Sequence, residues 1–294
     1  ERAGAVPLAM RDIEGRGAIG GAAPGEGGRG GKPGKRGIKV ILDQEDYEKI
    51  VGEEIAEKEV ELGRRTRSKR VGRWARRFAA AEGVAYLFGP DKGGYVAEGA
   101  LVSDFRQDCV SLLYRVTELA RATDHVDAVA WALRTRFAGA DPAAVVKEDG
   151  RVDYDDPSHL DYSLDMIRTG IWGRDVTAYF TGAVADEAGT SRYEAGSYLF
   201  VPKADLVASE FSEGDVVWFV LDPAHDGAAK LREEFGLVVG HIGLVIVEKG
   251  EPVLVHAARS GLEGRYEGGT VVTVPLLEYL ARVERFAGVI VTRY

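Results

Sequence analysis

At 294 residues with 45% hydrophobic content, the chain can bury a sizeable core, and its length permits one large domain or two small ones, of which one is favoured. A formal net charge of −9 argues against a surface built to hold nucleic-acid phosphates. A single cysteine, Cys109, excludes an intrachain disulfide and leaves three readings: a buried small hydrophobe, a reactive thiol or an intermolecular link.

No run reaches the roughly 18 consecutive apolar residues that span a bilayer. The chain opens at Glu1 without the apolar core of a signal peptide, so a soluble, processed or truncated product is expected. Residues 1–37 are glycine-rich and lack an apolar period; ordering them would lose more backbone entropy than their few apolar side chains offset, which predicts a flexible segment. A helical extension is expected over 38–70 and the functional domain over 71–294. From Asp43, a plausible N-cap, Tyr47, Ile50, Val51 and Ile55 fall at helical spacing, and Val71, Trp74, Ala75 and Phe78 repeat the pattern. Basic residues between Arg64 and Arg77 interleave with that second stripe. They read better as a solvated helix face than as a grip for an anionic polymer.

After the turn-rich stretch 89–94, a third stripe runs through Cys109, Leu112, Leu113, Val116 and Ala120, with Cys109 opening the helix. A fourth, from Val126 to Phe137, follows the capping residues Thr123 and Asp124. Beyond residue 210 the texture turns to short β-rich runs at 215–221, 237–247, 252–257, 270–274 and 287–292, with a short helix at 276–283. Helices followed by an antiparallel sheet make an α+β plan.

A helix N-terminus carries partial positive charge and free N–H donors, both of which favour a thiolate. Cys109 sits there, and the backbone N–H groups of Asp108 and Cys109 are candidates for an oxyanion hole. The bland alternative is a cysteine filling the core, because Cys109 lies on the apolar stripe. A nucleophile also needs a base. Of the five histidines, His125 lies early in a helix, His225 in the loop 222–226 and His159 in an Asp-rich stretch. His241 and His256 differ, each being embedded in an otherwise apolar strand. With Lys249-Gly250 as the hairpin tip, Glu248 faces Glu251 and His241 faces Ala258, which makes His256 a diagonal neighbour of His241. Diagonal neighbours on one face lie roughly 7–8 Å apart at the backbone, within reach of two imidazoles. Such a pair suits a base and the group that orients it; a mutually satisfied core pair or metal ligation would use the same placement. No Cys-x-x-Cys or His-x-x-x-His spacing supports zinc, and no metal or cofactor is expected. Gly240 and Gly243 beside His241 suit close approach of another backbone or a substrate.

Asp108-Cys109-Val110-Ser111 at a helix start, Gly214-Asp215-Val216-Val217 at a strand start, His241-Ile242-Gly243-Leu244 and Leu254-Val255-His256-Ala257-Ala258 together resemble the N-acetylmuramoyl-L-alanine amidase-like branch of the NlpC-type, papain-like cell-wall cysteine peptidases. The resemblance covers roughly Val71 to Tyr294. It implies a papain-like fold, Cys109 as nucleophile, His241 as base and His256 as the third residue. It also implies a peptidoglycan or muropeptide substrate and an extracytoplasmic location, with no nucleic acid and no transmembrane segment. The stretch from Asp156 to Trp172 is similar to the family's substrate-side insertion, which makes His159, Asp161, Tyr162, Asp165 and Trp172 candidates to hold sugar or peptide. A solvated loop or capping role fits each of the five equally well. Competing functions are a wall-binding module without catalysis, and acyl transfer or deamidation on a protein.

Overall fold

The computed structural model describes residues 67–87, 95–96, 99–137, 142–160, 164–188 and 196–294. The glycine-rich segment, the helix expected from Asp43, and Asp161 and Tyr162 lie outside them. The described chain is a mixed α+β structure with a helical first half and an antiparallel sheet.

The helical half comprises α1 (Arg67–Ala80), α2 (Cys109–Arg121), α3 (His125–Arg136) and the short α4 (Pro142–Val145) and α5 (Leu164–Arg168). Between α1 and α2, β1 (Ala85–Tyr86) and β2 (Arg106–Gln107) form a small parallel pair. Helix α1 buries Val71, Trp74, Ala75 and Phe78, the stripe read from the sequence, and starts before residue 71. Helix α3 is capped by Asp124, whose carboxylate accepts the Asp127 N–H at 2.9 Å. Two buried ion pairs tie α2 to its surroundings: Arg115 to Asp104, and Arg136 of α3 to Glu118 at 2.8 and 2.9 Å. Removing one partner of such a pair leaves an uncompensated buried charge, a loss of about 3–5 kcal/mol.

The sheet half comprises β3 (Arg174–Asp175), β4 (Val184–Ala188), β5 (Gly196–Pro202), β6 (Val216–Leu221), α6 (Asp226–Phe235), β7 (Val239–Glu248), β8 (Glu251–Ala258), β9 (Thr270–Pro275), α7 (Leu276–Arg282) and β10 (Phe286–Arg293). Strand order is β4-β5-β10-β6-β7-β8-β9, with β3 also on β10, and every pairing is antiparallel. One face, with Trp218, Ile242, Leu244 and Val255, packs under α1 and α2; the other, with Phe219, Leu254 and Phe286, is closed by Tyr279 of α7 and its neighbours. A sheet covered on both faces explains why β6 is apolar throughout rather than alternating.

Two features differ from the sequence expectation. The β4–β5 pair precedes residue 210; its first strand, Val-Ala-Asp-Glu-Ala, has an acidic composition of low strand propensity, and it is held by edge pairing and by the contacts of Asp186 with Tyr198 and Arg232. Helix α6 follows the loop 222–226 in a stretch for which no element was read; Gly236 ends it in the left-handed region at φ 67°.

Candidate active site

Helix α2 begins with a capping box. The Asp108 carboxylate accepts the N–H groups of Val110 (3.0 Å) and Ser111 (2.8 Å), and Ser111 Oγ accepts the Asp108 N–H at 2.8 Å. The box fixes the helix start at Cys109 and revises the oxyanion expectation. The Asp108 N–H is consumed by Ser111, so of the two donors expected only that of Cys109 stays outside the cap, next to its own sulfur.

The β7–β8 hairpin turns at Lys249-Gly250, both at positive φ (53° and 87°), as a two-residue turn requires. Its pairing runs from Glu248↔Glu251 to Leu244↔Val255, the register read from the sequence, and stops there, while β7 continues on β6 and β8 on β9. Where β7 and β8 no longer pair, the backbone N–H of Ile242 lies near enough to Cys109 to favour its thiolate. This proximity sets the nucleophile candidate beside the strand residue next to His241.

His241 lies opposite Phe219 at a register shift that makes Gly240 the extra residue, a bulge of the kind that re-aims a neighbouring side chain. A Cβ at Gly240 would stand 2.3 Å from Leu221, and one at Gly243 would stand 2.3 Å from Leu254 and 3.4 Å from the His256 Cβ. Gly243 therefore makes room for the Leu254 side chain beside His256. His241 Nε2 and His256 Nδ1 are 2.9 Å apart, with the rings 83° to one another. Tyr266 hydroxyl lies 3.3 Å from His256 Nε2. Around the pair stand Phe219, Phe286 and Tyr279, whose ring centroids lie 5.5 and 6.3 Å from His241 and 4.9 Å from His256, respectively. The guanidinium of Arg285 stacks 4.7 Å over Phe286.

Electrostatics follow burial. His241 is 7% exposed and His256 1%. Burial lowers His241 well below the usual imidazole range, helped by His256 and by the charge of Arg285; burial and then Arg285 push His256 down to about 3. Cys109 is partly exposed, yet desolvation, followed by the nearby Asp108 carboxylate, pushes its thiol up to about 12 against the N–H of Ile242. Burial and Asp108 thus outweigh the helix terminus. At neutral pH the thiol and both imidazoles are uncharged, so a nucleophile would form by proton transfer during attack.

The three substrate-side candidates among the described residues, His159, Asp165 and Trp172, are scattered. Trp172 is fully buried, its ring 5.5 Å from that of Tyr114 and its carbonyl accepting from Thr292, so it is a core residue and the substrate-holding expectation is corrected. His159 sits among Tyr95, Tyr154 and Phe137, its Nε2 3.2 Å from Tyr95 hydroxyl, while the Tyr95 N–H reaches Asp108 at 3.3 Å. This places His159 one aromatic side chain away from the cap of α2. Asp165 lies in the first turn of α5 and is partly buried. Asp215 opens β6 and forms a bidentate pair with Arg293 of β10 at 2.7 Å for both bonds, a structural role for the Gly-Asp motif. Gly214 before it takes φ 82°, and a Cβ there would stand 2.1 Å from the Ser68 carbonyl oxygen. Tyr266 and Arg285 carry no role in the sequence reading, and Ser111 and Tyr279 enter it only as members of longer motifs. Only Ser111 carried a signal, its spacing of three from Asp108. Among the described residues, no three His, Cys, Asp or Glu side chains gather as metal ligands, and no helix is long and apolar enough to cross a membrane.

The same fold occurs in known structures. An N-acetylmuramoyl-L-alanine amidase from Bacteroides uniformis ATCC 8492 superposes with a TM-score of 0.55 at 18% identity, over 77% of this chain and 98% of that one. Protein LPG0564 from Legionella pneumophila str. Philadelphia 1, of the DUF1460 family, superposes with a TM-score of 0.56 at 17% identity, over 81% of this chain and 92% of that one. At such identity the likeness is one of fold. No protein-family model matches the chain, and no curated protein matches it by sequence.

Proposed function

We propose that the chain is a papain-like, NlpC-type cysteine amidase that acts on peptidoglycan or its fragments outside the cytoplasm, with residues 71–294 as its catalytic unit. The observation that carries the reading is the 2.9 Å contact between His241 Nε2 and His256 Nδ1, on a strand whose next residue, Ile242, has its N–H near Cys109. That contact commits one nitrogen of His241 to its partner and leaves Nδ1 for the thiol. The substrate class is taken from the Bacteroides uniformis neighbour, named an N-acetylmuramoyl-L-alanine amidase, and from the resemblance of the Cys109, His241 and His256 motifs.

In this mechanism His241 Nδ1 takes the thiol proton as the Cys109 sulfur adds to the amide carbonyl. The oxyanion forms beside the Cys109 N–H, the donor left by the capping box. The C–N bond then breaks and the His241 imidazolium protonates the departing amine, leaving a thioester on Cys109. A water, deprotonated by His241, adds to the thioester and returns the thiol and a carboxylic acid. The scissile bond is the amide joining muramic acid to L-Ala or a nearby stem-peptide bond.

Incubation with purified muropeptides and, separately, with a protein pool tests the reading by mass spectrometry. New amine and carboxyl ends on muropeptides, absent with Cys109→Ala, are the expected result. Products from the protein pool alone would instead indicate deamidation or acyl transfer on protein. Muropeptide binding without products from either pool would indicate a wall-binding module.

A further inference from the structure

The histidine pair has two possible proton arrangements, and only one of them can work as a base. A neutral imidazole carries one proton, and the 2.9 Å N···N contact needs one donor and one acceptor. If His256 carries its proton on Nδ1, it donates to His241 Nε2; His241 is then protonated on Nδ1 and cannot accept from a thiol. If His256 carries its proton on Nε2, His241 donates from Nε2 and its Nδ1 is a free lone pair. The second arrangement requires an acceptor for the Nε2–H of His256, a residue only 1% exposed. The group in place is the Tyr266 hydroxyl, at 3.3 Å.

Tyr266 is held there by a built loop. Leu262 and Tyr266 exchange backbone hydrogen bonds at 2.9 and 3.1 Å. Arg265 pairs with Glu278 of α7, and Arg282 of α7 donates to the Glu263 carbonyl at 2.7 Å. Gly268, at φ 85°, lies so close to Ser260 that a Cβ would stand 2.5 Å from its carbonyl carbon. The tyrosine is partly exposed, so its oxygen can accept from His256 while its own hydrogen turns to water.

We propose that Tyr266 is a positioning residue: by accepting the Nε2–H of His256 it keeps Nδ1 of His256 an acceptor and Nδ1 of His241 unprotonated. The inference rests on the reading of His241 as the base for Cys109. The other groups facing the pair are Tyr279 of α7 and the charge of Arg285 before β10, which disfavours a second proton on either ring. The charge of Arg282 acts on Tyr266. Tyr266→Phe leaves the competent arrangement with a buried N–H lacking an acceptor, whereas the other arrangement lacks only a donor to a lone pair. Orphaned N–H groups are the rarer and costlier case, so the proton moves to Nδ1 of His256.

The test is long-range 15N–1H NMR of the histidine-labelled full chain near pH 7.5, with the rate at which iodoacetamide alkylates Cys109, the sole cysteine, measured in parallel. Wild type is expected to show both rings protonated on Nε2. Tyr266→Phe is expected to move His256 toward the Nδ1–H form and to slow alkylation by about 5- to 160-fold, the range that one buried unsatisfied donor corresponds to. A wild-type His256 protonated on Nδ1, or an unchanged tautomer in the variant, overturns the proposal; should the variant not fold, the wild-type spectrum decides it alone. The base reading has its own check: His241→Ala that alkylates as fast as wild type removes the base and leaves the tautomer measurement intact.

Discussion

The hairpin β7–β8 and the segment from Asp156 to Trp172 were both read from the sequence as parts of one site, and they fared differently. In the hairpin, each histidine interrupts an apolar strand and the two-residue tip sets the register, so relative placement follows from alternation alone. In the segment, side chains of mixed polarity follow no period, and the destinations of its described residues depend on packing against distant elements. Trp172 goes to the core beside Tyr114, and His159 goes into an aromatic cluster with Tyr95, Tyr154 and Phe137. Polarity within a regular element locates a residue, whereas polarity within a loop does not.

The largest effect that would break this comparison is expected at Cys109, the proposed nucleophile. Cys109→Ala removes one sulfur from a partly exposed position, so turnover on muropeptides is expected to fall by about a thousandfold or more. The thermal midpoint is expected to move by only a few degrees. Retained turnover would show that the hairpin serves some other chemistry. On the segment side, Trp172→Ala is expected to destabilise by about 3–5 kcal/mol in urea titration, as for other large aromatic truncations in a core. Unchanged stability with a raised KM would return Trp172 to the substrate.

Gly243→Ala sharpens the hairpin side. Its added methyl group would meet Leu254 at 2.3 Å and touch the His256 Cβ at 3.4 Å, so either Leu254 turns aside or the strand carrying His256 is pushed away. Overpacking of this kind destabilises by about 1–3 kcal/mol. Because His256 borders the clash, the alkylation rate of Cys109 is expected to fall as well. A loss of stability without a change in that rate would mean that Leu254 absorbs the strain.

The helix stripes of α1, α2 and α3 and the strands β6 to β10 were legible because a buried face imposes a period on the chain. What escaped did so for identifiable reasons. The β4–β5 ribbon depends on edge pairing, which leaves no strong pattern in an acidic strand. The Asp108 N–H was assigned to an oxyanion although the Asp108–Ser111 spacing already spelled a capping box that consumes it. Tyr266 lies in a glycine-rich turn, and nothing local indicates that its hydroxyl meets His256, ten residues earlier on β8. The pairing of His241 with His256 was thus readable, while the groups that tune it were not.

The smallest of the expected effects concerns the protons of that pair. Folded His256 resists protonation until about pH 3, whereas an unfolded histidine takes a proton near pH 6.5. Between those values the unfolded chain binds the extra proton, so stability rises with pH across the window and is lost as pH falls from about 6.5 toward 3. One such group contributes a slope of about 1.4 kcal/mol per pH unit, and His241, lowered by the same burial, adds in the same direction. Urea midpoints between pH 6.5 and 5 are therefore expected to fall steeply in wild type and less steeply in His256→Asn, which keeps a polar side chain but no proton to exchange. Equal slopes in the two proteins would mean that His256 is hydrated in solution, and a hydrated His256 would weaken the case that the hairpin holds a buried, neutral, oriented base.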